Sequence, residues 1–223
     1  MEEKEFTHKF PEWVLSASLA EACKLDDTPT YDTSKFWSQL NVVRDRNDLD
    51  KSKTFSELFH LPSSKPPMLY PEKAFAIEDA EYYGIRPDIF RSTFWSLRPD
   101  FLIQNKELSL IILLEAKGGE VPPKAWRDPK ELRYYDFLCK CSLSYKGFYY
   151  IIPQKSYGDC KRCLSNPKYF EPKKDIQTGM IFWEGLLDII DDDLMKTSLD
   201  QVLRETEGLK TLREWQKDKI GKK

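Results

Sequence analysis

Residues 98–117 read RPDFLIQNKELSLIILLEAK, and the fold class turns on this stretch. Asp100 to Gln104 has the character of an extended segment. Asn105-Lys106-Glu107 is a polar break of hairpin-loop length. Leu108 to Lys117 then runs almost without a polar interruption, as a strand covered on both faces does. Successive side chains on a strand point to opposite faces. Glu115 and Lys117 therefore project together, and Ala116 points away. If the two segments pair about Asn105 to Glu107, Asp100 falls opposite the end of the second strand. The two carboxylates and the ammonium group then converge.

Working outward, Pro71 to Tyr83 is expected as a short helix, with Pro71 in its first turn and Glu72 where the helix dipole favours a carboxylate. Phe90 to Leu97 has β character. Gly118-Gly119 ends the apolar strand, and Pro122-Pro123 keeps the chain extended. A helix is expected from Asp128 to Ser142, with Asp128 as N-cap, Pro129 in the first position and Glu131 completing a capping pattern. Phe148 to Ile152 and Met180 to Trp183 are expected strands. Ser198 to Ile220 is an expected amphipathic helix, capped by Ser198. Upstream, Trp13 to Ala22 and a segment capped by Thr33 or Ser34, with Phe36, Trp37, Leu40 and Val43, have helical spacing. Ser63-Ser64-Lys65-Pro66-Pro67 punctuates the chain. The expected organisation is a helical N-terminal extension over 1–67 and a core over 68–223. The core is α/β, with a mixed central sheet flanked by helices.

Two adjacent carboxylates suit a hard divalent cation, which takes oxygen ligands. Such a cation acidifies a water and offsets charge on a phosphate. A lysine two residues further along the strand can orient the attacking water or stabilise developing charge. The pattern Pro99-Asp100, then Glu115-Ala116-Lys117, resembles the PD-(D/E)XK nuclease superfamily, whose members have a restriction-endonuclease-like fold. The expected order of helix, strand, PD strand, ExK strand, helix and strand matches as well. The resemblance covers roughly Glu72 to Pro153. It implies Asp100 and Glu115 as ligands to Mg²⁺ or Mn²⁺, often with the Ala116 carbonyl, and Lys117 as the residue that assists the nucleophilic water. It also implies an acidic contribution from the preceding helix, for which Glu78 and Glu81 are candidates. A polar residue on the following helix completes the pattern, with Lys130, Arg133 and Tyr134 available for phosphate. Lys124, Trp126, Arg127, Lys130 and Arg133 make a basic and aromatic stretch suited to nucleic acid.

The expected partner is nucleic acid, DNA before RNA, with a homodimer compatible with cutting both strands. The alternatives are an RNA endonuclease of the cap-snatching type, in which His60 would be a ligand, or an inactive binding or assembly subunit of the same fold. A second Arg86-Pro87-Asp88 lacks the hairpin relation and is expected as a helix-terminating loop. Cys139, Cys141, Cys160 and Cys163 could suggest zinc, but the first pair is CxC on an expected helix, whose members point to different sides. Ordinary reduced thiols are the simpler reading. Asp191-Asp192-Asp193 is expected to begin a turn. A net charge of −2 excludes a uniformly basic coat protein but not one local basic face. The longest apolar run is strand-sized, so no membrane partner is expected. Met1 to Lys9 lacks a signal-peptide core, and an intracellular location (cytoplasm or nucleus) is expected.

Overall fold

The computed structural model describes residues 34–43, 53–60, 67–71, 74–116, 129–154, 175–201 and 203–204. Seven strands form one mixed sheet: β1 (Asn41–Val43), β2 (Lys53–Thr54), β3 (Met68–Pro71), β4 (Phe101–Asn105), β5 (Leu110–Ala116), β6 (Tyr145–Ile152) and β7 (Ile176–Phe182). Their order is β2-β1-β7-β6-β5-β4-β3. β3, β4 and β5 are antiparallel neighbours, and β5, β6 and β7 are parallel. A parallel pair needs a crossover, and the Pro129–Lys140 helix lies between β5 and β6 in the chain. Among the described residues no helix is long and apolar enough to cross a membrane.

The expected apolar strand is β5, and it is inside the sheet. Leu110, Ile112 and Leu114 belong to one buried cluster, Ile111 and Leu113 to the other. Strand alternation thus divides the core into two layers. The first layer holds Phe36, Trp37, Phe55, Phe59, Tyr149 and Trp183. The second holds Phe75, Tyr83, Phe90, Phe94 and, from the Pro129–Lys140 helix, Tyr134, Phe137 and Leu138. Both faces of β5 are covered, which is why it tolerates no polar residue before Glu115.

Several expectations change. Pro71 closes strand β3 and does not open a helix. β3 is an edge strand, where a residue without an N–H is tolerated. The helical part begins later, with a 3₁₀ turn at Ile77–Asp79. Phe90–Phe94 is a π-helical turn, not a strand; Phe90 and Phe94 are both buried against Phe137. Aromatic residues favour strands, but this pair fills the second layer from one helical face. The order before the PD strand is therefore strand and then helical turns. The last helix is already formed at 193, upstream of the expected Ser198 cap. Asp192 Oδ1 accepts the Met195 N–H at 2.7 Å, and the Ser198 hydroxyl donates back to the Leu194 carbonyl.

The described part of the segment 1–67 is not purely helical and not set apart. It supplies the Ser34–Gln39 and Phe55–Phe59 helices, the latter started by a capping box of Thr54 and Glu57. It also supplies β1, which pairs with β7, and β2. Its aromatic residues sit in the same core layer as Ile112 and Leu114. The earlier helix expected over Trp13 to Ala22 lies outside the described residues, as does the chain beyond 204.

Gly84 joins the layer 74–97 to the end of the long helix. Its φ is +65°, and an added Cβ would meet Ser142 Oγ at 1.8 Å. The Ser142 N–H donates to the neighbouring Tyr83 carbonyl at 2.9 Å. Gly84→Ala is expected to lower stability by about 2 kcal/mol or more, combining backbone strain with overpacking. An unchanged urea midpoint would contradict this packing.

Candidate active site

The β4–β5 register pairs Phe101 with Leu114. One further step sets Asp100 against Glu115, and residues directly opposite share a face. Asp100 Oδ2 accepts the main-chain N–H of Ala116 at 2.7 Å. This bond fixes the Asp100 carboxylate at the open end of the hairpin. Glu115 follows Ile111 and Leu113 on the face covered by the long helix, and it is only 4% exposed. A carboxylate so buried is stable only where hydrogen bonds, a cation or a proton offset its lost hydration. The sequence places that group at the end of the most apolar strand in the chain.

The turn that delivers Asp100 is clipped to the long helix at two consecutive residues. The Tyr134 hydroxyl donates to the Arg98 carbonyl, and the Arg133 guanidinium donates to the Thr93 carbonyl. Between them Leu97 is buried and its carbonyl accepts the Phe75 N–H at 2.9 Å. Pro99 is buried as well. Tyr134, expected among the nucleic-acid contacts, is fully buried, so a nucleic acid could reach it only by opening the core. Its work is to position the Pro99-Asp100 segment. Arg133 remains exposed. Nothing in the sequence pattern distinguished Tyr134 as a clip, because its helical spacing marks only an apolar face.

Lys117, Lys124, Trp126 and Arg127 lie outside the described residues, and of Lys130 only the helical backbone is described. Glu78 and Glu81 are exposed. Glu81 precedes Tyr82, whose hydroxyl donates to the carbonyls of Asn105 (3.3 Å) and Leu110 (3.1 Å). Those carbonyls mark the turn of the hairpin, five strand residues or roughly 17 Å from Asp100. Among the described residues no three His, Cys, Asp or Glu side chains gather into a group that could hold a metal ion. Among the described residues neither Glu78 nor Glu81 joins Asp100 and Glu115 in such a group.

The other candidates separate. His60 is the exposed C-cap of a helix whose Phe55 and Phe59 pack on the opposite face of the sheet from Glu115. Arg86-Pro87-Asp88 opens a short helical turn and does not terminate one. Its Arg86 and Asp88 form a two-pronged ion pair, at 3.1 and 2.6 Å, on the surface. Cys139 is exposed and Cys141 buried, so the two thiols diverge. Burial pushes the Cys141 thiol up to about 11. Cys160 and Cys163 lie outside the described residues. A feature not singled out from the sequence is buried Lys146, which donates to the Cys141 carbonyl (3.0 Å) and to Asp175 (2.6 Å). It sits at the start of β6, at the end of the sheet away from Glu115.

No protein-family model, no curated protein and no solved structure matches the chain.

Two expectations follow from this geometry. Tyr134→Phe removes the clip on Arg98 and is expected to lower stability by about 1 kcal/mol, read from urea melts; a loss indistinguishable from zero would mean that this hydroxyl does not hold the segment. The second concerns the far end of the same layer. Burial, foremost, raises the Tyr82 phenol to about 12. In the unfolded chain the phenol loses its proton first, so Tyr82 favours folding below the ordinary phenol range and withdraws that support as the pH climbs towards 12. Stability measured from pH 9 to 12 should fall less steeply in Tyr82→Phe than in the wild type, and identical slopes would contradict the assignment.

Proposed function

We propose that the chain is a metal-dependent nuclease of the PD-(D/E)XK type, with a restriction-endonuclease-like core and DNA as its first expected substrate. One observation carries the reading: Asp100, anchored through Oδ2 to the Ala116 N–H, lies opposite buried Glu115 at the rim of the sheet. The sequence of PD strand, ExK strand, helix and parallel strand, in β4, β5, the Pro129–Lys140 helix and β6, supports it. The donor chemistry also fits. Two carboxylates and a main-chain carbonyl at Ala116 are hard oxygen ligands, which Mg²⁺ and Mn²⁺ accept.

Asp100 and Glu115 would hold the cation, with the Ala116 carbonyl as a third donor. When bound, the ion lowers the pKa of a water and neutralises charge on the scissile phosphate. Lys117, two residues beyond Glu115 in the sequence, would orient that water and stabilise developing negative charge. In such a hydrolysis the water oxygen would bond to phosphorus and give up a proton to solvent, while the bond to the leaving sugar oxygen breaks and that oxygen takes up a proton. Tyr134 and the buried Pro99 keep Asp100 in place. The two alternatives differ in what they need. A cap-snatching RNA endonuclease needs a histidine ligand, and the helix before His60 packs on the other face. An inactive subunit needs only the fold.

The test is one cleavage panel: plasmid, linear duplex, single-stranded DNA and RNA, with and without Mn²⁺. The wild type is expected to cut DNA only with the cation. Asp100→Ala, Glu115→Ala and Lys117→Ala should each reduce cleavage by about 10² or more while circular dichroism stays unchanged. Undiminished cleavage by all three variants would sink the mechanism, and cleavage of RNA alone would move the substrate.

A further inference from the structure

Glu115 has a tyrosine beside it in the sheet. The parallel β5–β6 register makes Glu115 and Tyr150 direct neighbours. Side chains at one level of adjacent strands project from the same face, and the strands are about 4.8 Å apart. The two side chains therefore lie alongside each other in the layer that the long helix covers. Both are buried, Tyr150 completely. A tyrosine is longer than a glutamate, so its hydroxyl reaches at least as far from the sheet as the carboxylate does.

Packing at this position asks for an aromatic ring but not for a hydroxyl. Phe148, two residues earlier on the same face, fills the same layer as a plain phenyl. It meets the Tyr150 ring edge-on, at 4.9 Å and 84°. A buried phenol needs a hydrogen-bond partner. On its face of the sheet Tyr150 is surrounded by Glu115 on β5, Met180 on β7, and Phe148 and Ile152 on its own strand. Of these four only Glu115 offers an oxygen. The carboxylate has the complementary need, since at 4% exposure it requires donors to offset its lost hydration. On the β4 side stands Asp100, which is acceptor-only when ionised. The neighbour in the sheet with a proton to give is Tyr150.

We propose that Tyr150 is a positioning residue for the acidic pair: its hydroxyl donates to the Glu115 carboxylate and keeps that carboxylate aimed towards the Asp100 side, where the cation is held. The use of the bond rests on the nuclease reading; the bond itself does not. A carboxylate accepts through two oxygens, so one takes the hydroxyl and the other serves the cation. Hydrogen-bond partners of metal-binding carboxylates orient them and set the affinity. One layer of rings then fastens both acids. Tyr134 holds the carbonyl of Arg98, two residues before Asp100. Its ring lies 6.3 Å from Phe148, and Phe148 lies against Tyr150.

The experiment uses the full chain and begins without metal. Tyr150→Phe keeps the ring and removes the hydroxyl. Urea melts compare its effect in the wild type and in a Glu115→Leu background. Tyr150→Phe should lower the midpoint in the wild type. In Glu115→Leu, where the hydroxyl has lost its acceptor, it should leave the midpoint unchanged or raise it. Calorimetry with Mn²⁺ then reads the use of the bond. Tyr150→Phe should weaken Mn²⁺ binding about tenfold or more. Tyr149→Phe, one residue away on the opposite face, should leave it unchanged. An equal midpoint loss in both backgrounds would overturn the hydrogen bond. A folded Tyr150→Phe protein that binds Mn²⁺ as tightly as the wild type would overturn the positioning role, as would a loss matched by Tyr149→Phe. Coupled midpoints in a protein that takes up no Mn²⁺ would keep the bond and refute the cation site.

Discussion

β5 is buried on both faces, and this constraint organises the rest of the molecule. Its five residues from Leu110 to Leu114 are inaccessible to solvent and alternate between two core layers. A strand in that position can carry charge only where the sheet reaches its rim. Glu115 is at that rim, and the β4–β5 register brings Asp100 to the same place. The Ala116 N–H, left beyond the last paired position of β4, is taken by the Asp100 carboxylate. One main-chain donor at the end of an apolar strand thus fixes the geometry of an acidic pair.

The layer above the pair keeps it there. Tyr134 and Arg133, adjacent on the long helix, hold two carbonyls of the segment that leads into Asp100. The interlocked rings of Phe75, Tyr83, Phe90, Phe94 and Phe137 support that segment from below. At the opposite end of the hairpin Tyr82 holds the turn, and Lys146 bridges the end of the long helix and Asp175. Polar side chains that fasten main chain therefore lie at both ends of the sheet, while the acidic pair lies at one.

The hairpin and its acidic pair were legible in the sequence because a two-residue period and a polar break are local signals. The long helix was legible for the same reason, through Pro129 and its apolar spacing. Other elements depended on tertiary context. Pro71 could be in a strand only because β3 is an edge, and no local pattern announces an edge. Phe90 and Phe94 have strand propensity, but the second core layer takes them at helical spacing. Asp192 was part of an acidic run, and only the start of a helix reveals it as a cap. β1 and β2 are too short to show alternation. At the site, Asp100 and Glu115 could be paired from the sequence, whereas Tyr134 could not be told from any other residue on an apolar helix face.

The central claim is that Asp100 and Glu115 together make a cation site. Calorimetric titration of the full chain with Mn²⁺ tests it without any assumption about substrate. The account predicts saturable binding that Asp100→Ala and Glu115→Ala each abolish, while Glu78→Ala and Glu81→Ala leave it unchanged. A wild-type protein that takes up no Mn²⁺, or one whose binding survives both Asp100→Ala and Glu115→Ala, would contradict it.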